Sequence, residues 1–313
     1  MYNCAIVGCG NIAGGYGEDA LTHAGAYKLC PATNLVAASD NTSKSLMTFG
    51  KRWKVDRLYK DYKKMLSSEK IDILSICLPT EKHYEVFKAA CGRGVRAIFC
   101  EKPLSRDIDE AREMVRMSRG RTVSVNYFRR WNSDIARLRE GMSRGDYGKI
   151  INVTARYTKG LFVNGSHLID LMLWFFGKPK TLQAIRVNHN GTKDPGADFT
   201  IDFQHDITVH FLNIPDAGYV FIDVDILTKK GRISITQRGQ AIERYSIAVE
   251  PYYQKFHMLK KGKVVQTAWR DCLRRAVEEI VKALDTQAIT SCSPKDALKT
   301  LEICHEIIKR KRT

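Results

Sequence analysis

The start of the chain restricts its fold more than any other stretch. Residues 4–7 are apolar and lead directly into Gly8, Gly10 and Ala13, which have the spacing Gly-x-Gly-x-x-Ala. The first glycine permits a tight turn after a strand, the second lets a ligand approach the backbone, and the small third residue lets a helix pack closely. The pattern predicts a dinucleotide-binding strand, turn and helix. The candidate cofactor contacts in this turn are Gly8, Gly10, Asn11 and Ile12.

Additional glycines follow this turn at Gly14, Gly15 and Gly17. So many glycines indicate a loop, and we expect the helix to resume only near residue 22. The loop either lies beside the cofactor or is an excursion from it, and the sequence leaves both readings open.

A second predicted strand, residues 34–39, ends at Asp40. A carboxylate at this place accepts both hydroxyl groups of an adenosine ribose and repels a 2′-phosphate, which favours NAD over NADP. The alternative is that Asp40 only caps the next helix. Lys44 and the pair Lys51 and Arg52 leave NADP open.

A further strand and helix extend the pattern. Residues 71–78 are largely apolar and typical of a strand buried on both faces, and Pro79, Thr80 and His83 follow them. Pro79 would fix the turn, and Thr80 would cap the next helix. His83 would pack against the nicotinamide ribose or be an ordinary surface histidine. All three are candidate cofactor contacts.

The apolar residues 95–100 run straight into Glu101, Lys102 and Pro103. A lysine at the end of a parallel strand lies at the edge of the sheet where such proteins bind ligands. We therefore predict Lys102 to be the centre of the chemistry, with Glu101 and Lys102 beside the cofactor. Alternating strands and helices up to residue 125 predict a parallel, doubly wound sheet with right-handed crossovers.

A chain of 313 residues is long for one core, so two domains are expected. We place a dinucleotide-binding Rossmann domain at residues 1–125 and a substrate-binding and oligomerisation domain at residues 126–313. The net charge of +17 is spread over both halves. Its one compact run is the tail at residues 309–312, so we expect no nucleic-acid binding and favour an anionic small-molecule substrate.

No apolar run approaches the ~20 residues that a bilayer requires, so we expect no membrane partner. The N-terminus enters a strand at once, which predicts a cytoplasmic protein. The nine cysteines are odd in number and contain no Cys-x-x-Cys, which suggests neither disulfides nor a zinc site. His189, His205, His210 and His257 share no spacing with carboxylates, and no metal site is predicted.

The second half carries a basic pair and a possible catalytic helix. Arg129 and Arg130 follow the last Rossmann strand. Arg129 is a candidate for binding an anionic substrate, while at least one of the pair would brace the domain junction. Asn164, His167 and Asp170 recur every three residues and share one face of a helix predicted over residues 166–176. Asn164 and Asp170 are candidate substrate contacts, although Asp170 could instead orient His167 or be structural.

The region from residue 199 to residue 267 alternates apolar and polar residues with a period of two. This pattern predicts an antiparallel sheet with one polar face. Exposed aromatic side chains on it suit a subunit interface, namely Tyr219, Tyr245, Tyr252 and Tyr253.

Taken together, the motifs at residues 8–13, 78–83, 100–104, 125–131 and 164–170 resemble the glucose-fructose oxidoreductase, inositol dehydrogenase and MocA (Gfo/Idh/MocA) family of NAD(P)-dependent oxidoreductases. The resemblance implies an N-terminal Rossmann domain and a C-terminal α/β domain with an open, mostly antiparallel sheet that forms dimers or tetramers. It also implies that Lys102 contacts substrate and cofactor, and that His167 is the general acid/base.

The sequence departs from the family at one position. Many members have an aspartate four residues before the histidine, where this chain has Val163. The expected function is an oxidoreductase that moves a hydride between nicotinamide and a sugar-like hydroxyl or ketone, with a nucleotide-linked sugar of glycan biosynthesis as one candidate substrate. The alternative is a non-catalytic, dinucleotide-binding regulator of the same fold.

Overall fold

The structure is a computed structural model, and it describes residues 1–17, 19–188, 192–215 and 218–309. The chain divides into two compact units, one of residues 1–131 with 270–301 and one of residues 132–269 with 302–313. His189, one of the histidines considered above for a metal site, lies outside the described residues. Residues 310–312 of the basic tail also lie outside them.

The strands are β1 (Tyr2–Val7), β2 (Thr33–Ser39), β3 (Arg57–Tyr59), β4 (Ile73–Ile76), β5 (Ala97–Cys100), β6 (Thr122–Val125), β7 (Ile150–Tyr157), β8 (Thr181–Asn188), β9 (Gly196–Asp202), β10 (Thr208–Asn213), β11 (Ile222–Thr228), β12 (Gly231–Thr236), β13 (Ala241–Val249) and β14 (His257–Gln266). The helices are α1 (His23–Leu29), α2 (Ser43–Trp53), α3 (Tyr62–Ser68), α4 (His83–Gly92), α5 (Ile108–Met117), α6 (Ser133–Ser143), α7 (Ser166–Phe176), α8 (Cys272–Thr286) and α9 (Pro294–Lys309).

The first unit contains a six-stranded parallel sheet with strand order β3-β2-β1-β4-β5-β6. Strands β4 and β5 are buried along their whole length, as largely apolar runs predict. The order reverses direction between β1 and β4, and ligands of doubly wound sheets bind at such a switch point. The predicted Rossmann architecture is confirmed.

The second unit contains an eight-stranded sheet with order β14-β13-β12-β11-β7-β10-β9-β8. Only the β7–β10 pair is parallel among these neighbours, so the sheet is mostly antiparallel as predicted. Buried and exposed residues alternate along β7 and β11. The ring of Phe176 at the end of α7 meets that of Phe203 with centroids 5.5 Å apart, which places α7 on the buried face.

The division of the chain differs from a single cut after residue 125. The first unit extends to Trp131, and residues 270–301 return to it. This return follows the edge strand β6, because Val125 N donates to Cys292 O at 3.0 Å and Thr290 Oγ1 donates to Val123 O at 2.9 Å. In the part of the chain that the structure describes, no helix combines the length and the apolar character needed to cross a bilayer.

Candidate functional site

The glycine turn after β1 lies at the switch point of the parallel sheet. Gly8 has φ +91°, and a Cβ there would lie 2.6 Å from the carbonyl oxygen of Cys77, so only glycine fits. Gly10 is different, because among the described residues, its own chain neighbours apart, no atom lies within 4 Å of the place its Cβ would take. Open space therefore faces the backbone at Gly10. Asn11 is exposed and Ile12 is half-buried in the one-turn π-helix Asn11–Gly15 that follows.

Of the additional glycines, Gly14 packs against the protein's own helix α2. A Cβ on Gly14 would lie 2.2 Å from the indole nitrogen of Trp53 in α2, and that nitrogen donates to Gly14 O at 3.1 Å. Helix α1 then begins at His23, with Thr22 as its N-cap. The predicted interruption of the helix is present, and Gly14 serves close packing on α2.

Asp40 follows β2 at the same edge of the sheet and is half-buried. Its Oδ2 accepts from Cys9 N at 2.8 Å, and its Oδ1 accepts from Thr42 N at 2.7 Å. The carboxylate is thereby fixed against the glycine turn. Arg52, one of the residues that left NADP open, donates to Tyr16 O and to the carboxylate of Asp19.

The turn after β4 differs in part from the prediction. A short 3-10 turn covers Thr80–Lys82, and α4 begins at His83 without a side-chain cap. Thr80 therefore does not cap α4, because the extra turn separates it from the helix start. Pro79 is exposed at the start of this turn.

The structure gives His83 a place other than the one predicted for it. Its side chain is fully buried, with Nδ1 3.0 Å from Pro103 O and Nε2 2.8 Å from Leu78 O. A contact with the nicotinamide ribose would need an accessible ring. His83 instead ties the turn after β4 to the turn that contains Lys102.

Glu101 and Lys102 follow β5 at the same edge as Gly8 and Asp40. Glu101 accepts from Asn126 Nδ2 at 2.6 Å and from Lys102 N at 3.2 Å. Burial by itself raises the pKa of Glu101, but hydrogen bonds from His23 and Asn126 and the charge of Lys102 hold that pKa below its usual range. The carboxylate beside Lys102 is therefore ionised.

Sequence reasoning assigned no role to His23 or Asn126. His23 Nε2 lies 3.0 Å from Glu101 Oε1, although the two residues are 78 positions apart. Asn126 follows β6, the neighbour of β5, so the meeting of parallel strand ends at one edge could have pointed to it. No spacing or motif connects His23 with Glu101.

The two arginines that follow β6 are both buried. The Arg129 guanidinium lies 4.9 Å from the ring centre of Phe128. Arg130 Nη1 donates to Ser291 O at 2.8 Å and lies 3.8 Å from the Asp296 carboxylate. Arg130 thus holds the returning segment, residues 270–301, to the rest of the first unit. These contacts brace the inside of one unit.

The second unit brings Asn164, His167 and Asp170 together at the N-terminal part of α7. All three side chains are buried, at 7%, 8% and 1% exposure. Asn164 Nδ2 donates to Thr158 O at 2.8 Å, which ties the turn before α7 to the end of β7. The predicted helix 166–176 coincides with α7.

Asp194 contacts the start of this helical segment, and the sequence did not reveal this. Its carboxylate accepts from Phe162 N at 2.8 Å and from Val163 N at 2.9 Å. A Cβ on Gly160 would lie 2.0 Å from Asp194 Cγ, so Gly160 makes room for the carboxylate. Position 163 is the one at which many relatives have aspartate. In this chain the backbone N–H of Val163 donates to a carboxylate that comes from another loop.

The nine cysteines are all free, and eight of them are buried. Burial raises the pKa of the Cys9 thiol to about 12 and raises those of Cys77 and Cys100 well above the usual range. These thiols are protonated at neutral pH. Among the described residues, no group of three histidine, cysteine, aspartate or glutamate side chains is arranged to hold a metal ion.

The edge formed by the turns after β1, β2 and β5 fits a dinucleotide. The open space at Gly10 accommodates a pyrophosphate against the backbone, and the fixed Asp40 carboxylate can accept ribose hydroxyls. Lys102 contributes a cation at the same edge. The residues of the first unit are thus compatible with a bound NAD.

Comparisons with known proteins agree with this geometry. Residues 2–127 match the Gfo/Idh/MocA model, described as an oxidoreductase family with an NAD-binding Rossmann fold. D-glucoside 3-dehydrogenase of Escherichia coli K12 is 27% identical over 218 residues, which cover 62% of this chain and 60% of that protein. Myo-inositol 2-dehydrogenase of Thermotoga maritima is 27% identical over 146 residues, which cover 45% of this chain and 43% of that protein. The chain thus matches less than two thirds of either relative.

Solved structures share the fold over the whole chain. An oxidoreductase from Agrobacterium radiobacter, solved with NAD+, L-tartaric acid and magnesium, has a TM-score of 0.77 at 19% identity, covering 100% of this chain and 96% of that one. Residues 2–127 therefore match the Gfo/Idh/MocA family of oxidoreductases, whose model describes an NAD-binding Rossmann fold, and the solved structure shares the fold of the whole chain.

Proposed function

We propose that this protein is an NAD-dependent dehydrogenase or reductase that interconverts a hydroxyl and a ketone on a sugar or sugar derivative. One observation carries the proposal. The open backbone at Gly10, the fixed Asp40 carboxylate and Lys102 follow three strands of one parallel sheet at the edge where doubly wound proteins bind ligands. When bound, the nicotinamide supplies or takes up a hydride at the reacting carbon.

Lys102 is proposed as the residue that stabilises charge on the reacting oxygen. Its ammonium would contact the substrate hydroxyl and lower the cost of the developing alkoxide. Glu101 sits one residue before it, half-buried and ionised, and accepts a hydrogen bond from the backbone N of Lys102. Gly8, Gly10, Asn11, Ile12, Asp40, Pro79, Thr80 and Glu101 are proposed to shape the cofactor site.

His167 is proposed as the general acid/base, because an imidazole titrates near neutral pH and can take or return the hydroxyl proton. Asn164 and Asp170 lie on the same turns of the helical segment and are proposed to position substrate and imidazole. Arg129 is proposed to contribute positive charge toward an anionic group. Because position 163 is valine, His167 and Lys102 would share the handling of the proton.

The first test is turnover by the purified protein with NAD+ and with NADP+. The panel contains myo-inositol, D-glucosides and nucleotide-linked sugars, and the absorbance of reduced nicotinamide reports the reaction. We expect turnover of at least one compound, with NAD+ preferred. Binding of NAD+ without turnover of any compound would instead identify a non-catalytic regulator of the same fold.

The finer substrate proposal is a phosphate-bearing, nucleotide-linked sugar of glycan biosynthesis, and its support is the net charge of +17. Salt screens attraction between an anionic substrate and a basic surface. Raising the salt concentration should therefore increase the KM of such a substrate sharply. A KM that does not respond to salt would favour a neutral sugar or inositol.

We also propose that the protein forms a homo-oligomer through the exposed face of the eight-stranded sheet. Apolar side chains remain accessible there, with Leu227 at 38% and Ile247 at 48% exposure. Tyr219, in the connection before β11, and Tyr252, in the connection after β13, are still more exposed at 67% and 88%. Light scattering with size exclusion should give a dimer or tetramer. Leu227→Glu should dissociate it, whereas Met47→Glu, on exposed α2 of the other unit, should not. A monomeric wild type would refute this.

A further inference from the structure

His23, the first residue of α1, is a buried histidine with every polar atom of its ring in a hydrogen bond. Its side chain is 0% exposed. Nδ1 lies 2.8 Å from Ser75 Oγ, and Nε2 lies 3.0 Å from Glu101 Oε1. The ring also packs on Phe99 with centroids 4.4 Å apart. These three contacts fix both the position and the orientation of the imidazole.

The direction of the bond to Glu101 follows from the charge of the carboxylate. An ionised carboxylate can only accept hydrogen bonds, so Nε2 carries a proton and donates it to Oε1. Asn126 Nδ2 donates to the same oxygen, and Lys102 N donates to Oε2. His23 is therefore one of the donors that keep a half-buried negative charge beside Lys102.

We propose that His23 is a positioning residue for the reaction, which acts by holding Glu101 and thereby the backbone and ammonium of Lys102. The inference rests on the proposed function, in which Lys102 contacts the substrate. Removing the Nε2 donor leaves a half-buried carboxylate with one partner fewer. The Glu101 side chain then shifts or protonates, and Lys102, whose own N–H is bonded to it, moves with it.

The same network contains a built-in control. Ser75 Oγ, the partner of His23 Nδ1, also lies 2.7 Å from the hydroxyl of the buried Tyr27. Tyr27→Phe removes a buried hydrogen bond at the far end of the network and leaves the bond between His23 and Glu101 in place. Its effect measures the cost of losing a buried hydrogen bond close to His23 without disturbing Glu101.

The experiment compares wild type with His23→Ala, His23→Gln and Tyr27→Phe. Steady-state kinetics give kcat and KM, calorimetry gives the affinity for NAD, and thermal unfolding gives Tm. A fourth readout needs no turnover. Reductive methylation with 13C-formaldehyde labels lysines for NMR, and the Lys102 signal is the one missing in Lys102→Arg.

We expect His23→Ala to lower kcat by roughly tenfold to a hundredfold, since a displacement near 1 Å of a catalytic group has that effect. The affinity for NAD should change far less than kcat does. His23→Gln keeps an N–H donor and should recover most of the loss. The Lys102 signal should shift in His23→Ala and not in Tyr27→Phe, even if Tm decreases by the same amount in both variants.

Two results would overturn the inference. One is an unshifted Lys102 signal with wild-type kcat in His23→Ala, and the other is an equal loss of kcat in Tyr27→Phe at equal Tm. If His23→Ala does not fold, the comparison of His23→Gln with Tyr27→Phe decides in the same way. If the wild type turns over no compound, the proposed function fails, while the NMR comparison still reports whether His23 holds Lys102.

Discussion

Glu101 is a half-buried carboxylate whose ionised form is favoured by the folded state. Its pKa is held below the usual range because donors and the charge of Lys102 outweigh burial. A depressed folded-state pKa contributes stability above the unfolded pKa of about 4.3, and that stability is lost as the pH falls through the folded value. The acid limb of the stability profile should therefore contain a contribution from Glu101.

We predict that Glu101→Gln lowers the free energy of unfolding by about 2 kcal/mol at neutral pH, because hydrogen bonds to a charged group are lost. The difference from wild type should shrink as the pH falls below the unfolded pKa. Denaturant unfolding at a series of pH values measures it. A difference that stays constant down to the acid transition would contradict the ionised state assigned to Glu101.

Asp40 is the residue on which we propose that cofactor choice depends. Its carboxylate is fixed by Cys9 N and Thr42 N, and Arg52 is engaged by Asp19 and Tyr16 O. Asp40→Asn removes the charge and keeps an acceptor for the backbone. We predict about a tenfold loss of preference for NAD over NADP, in line with hydrogen bonds to charged groups. The ratio of the two dissociation constants measures it, and an unchanged ratio would exclude Asp40 from the ribose site.

Residue roles could be predicted only where a local pattern existed. Gly8, with its positive φ, and Asp40, at a strand end, follow from the order of elements along the chain. His23 and Asp194 do not, because each reaches its partner from a different element at a separation of 78 and about 31 residues. A fold is needed before such contacts can be identified.

At the scale of elements, the start of the α7 segment depends on a carboxylate supplied from outside it. Asp194 accepts from two backbone N–H groups, and Gly160 leaves the space it occupies. We predict that Asp194→Ala costs about 1 kcal/mol of stability, as loss of a helix cap does. It should also raise KM for substrate and leave NAD affinity unchanged, since Asn164 and His167 follow directly.

Gly160→Ala provides a matched check, because its Cβ would displace the same carboxylate. The double variant should then be little worse than either single variant, as expected for residues that share one interaction. Unfolding free energies and KM values of the three variants measure this. Fully additive effects would show that Gly160 and Asp194 act independently.

Helix boundaries show what sequence patterns can and cannot supply. The predicted helix at residues 166–176 is α7 as observed. At the start of α9, Ser293 Oγ accepts from Asp296 N at 3.3 Å, as an N-cap does. The prediction that Thr80 caps α4 is wrong, because a 3-10 turn separates Thr80 from the start of that helix. A cap pattern alone does not reveal such an extra turn.

At the scale of the whole molecule, the order of elements predicted two sheets of the right kinds. It did not predict that residues 270–301 return to the first unit. An amphipathic helix such as α8 shows that it has a buried face and does not show which core receives it. In the folded chain, the hydrogen bonds from Val125 N to Cys292 O and from Thr290 Oγ1 to Val123 O show that the first unit receives this segment.

The central claim, that Lys102 performs chemistry at a bound NAD, is tested most directly by separating kcat from cofactor affinity in Lys102→Met. We predict a fall in kcat of about a hundredfold or more, as for the loss of one electrostatic stabiliser in an active site. The dissociation constant of NAD should stay close to that of wild type. A variant that turns over substrate at the wild-type rate would contradict the account.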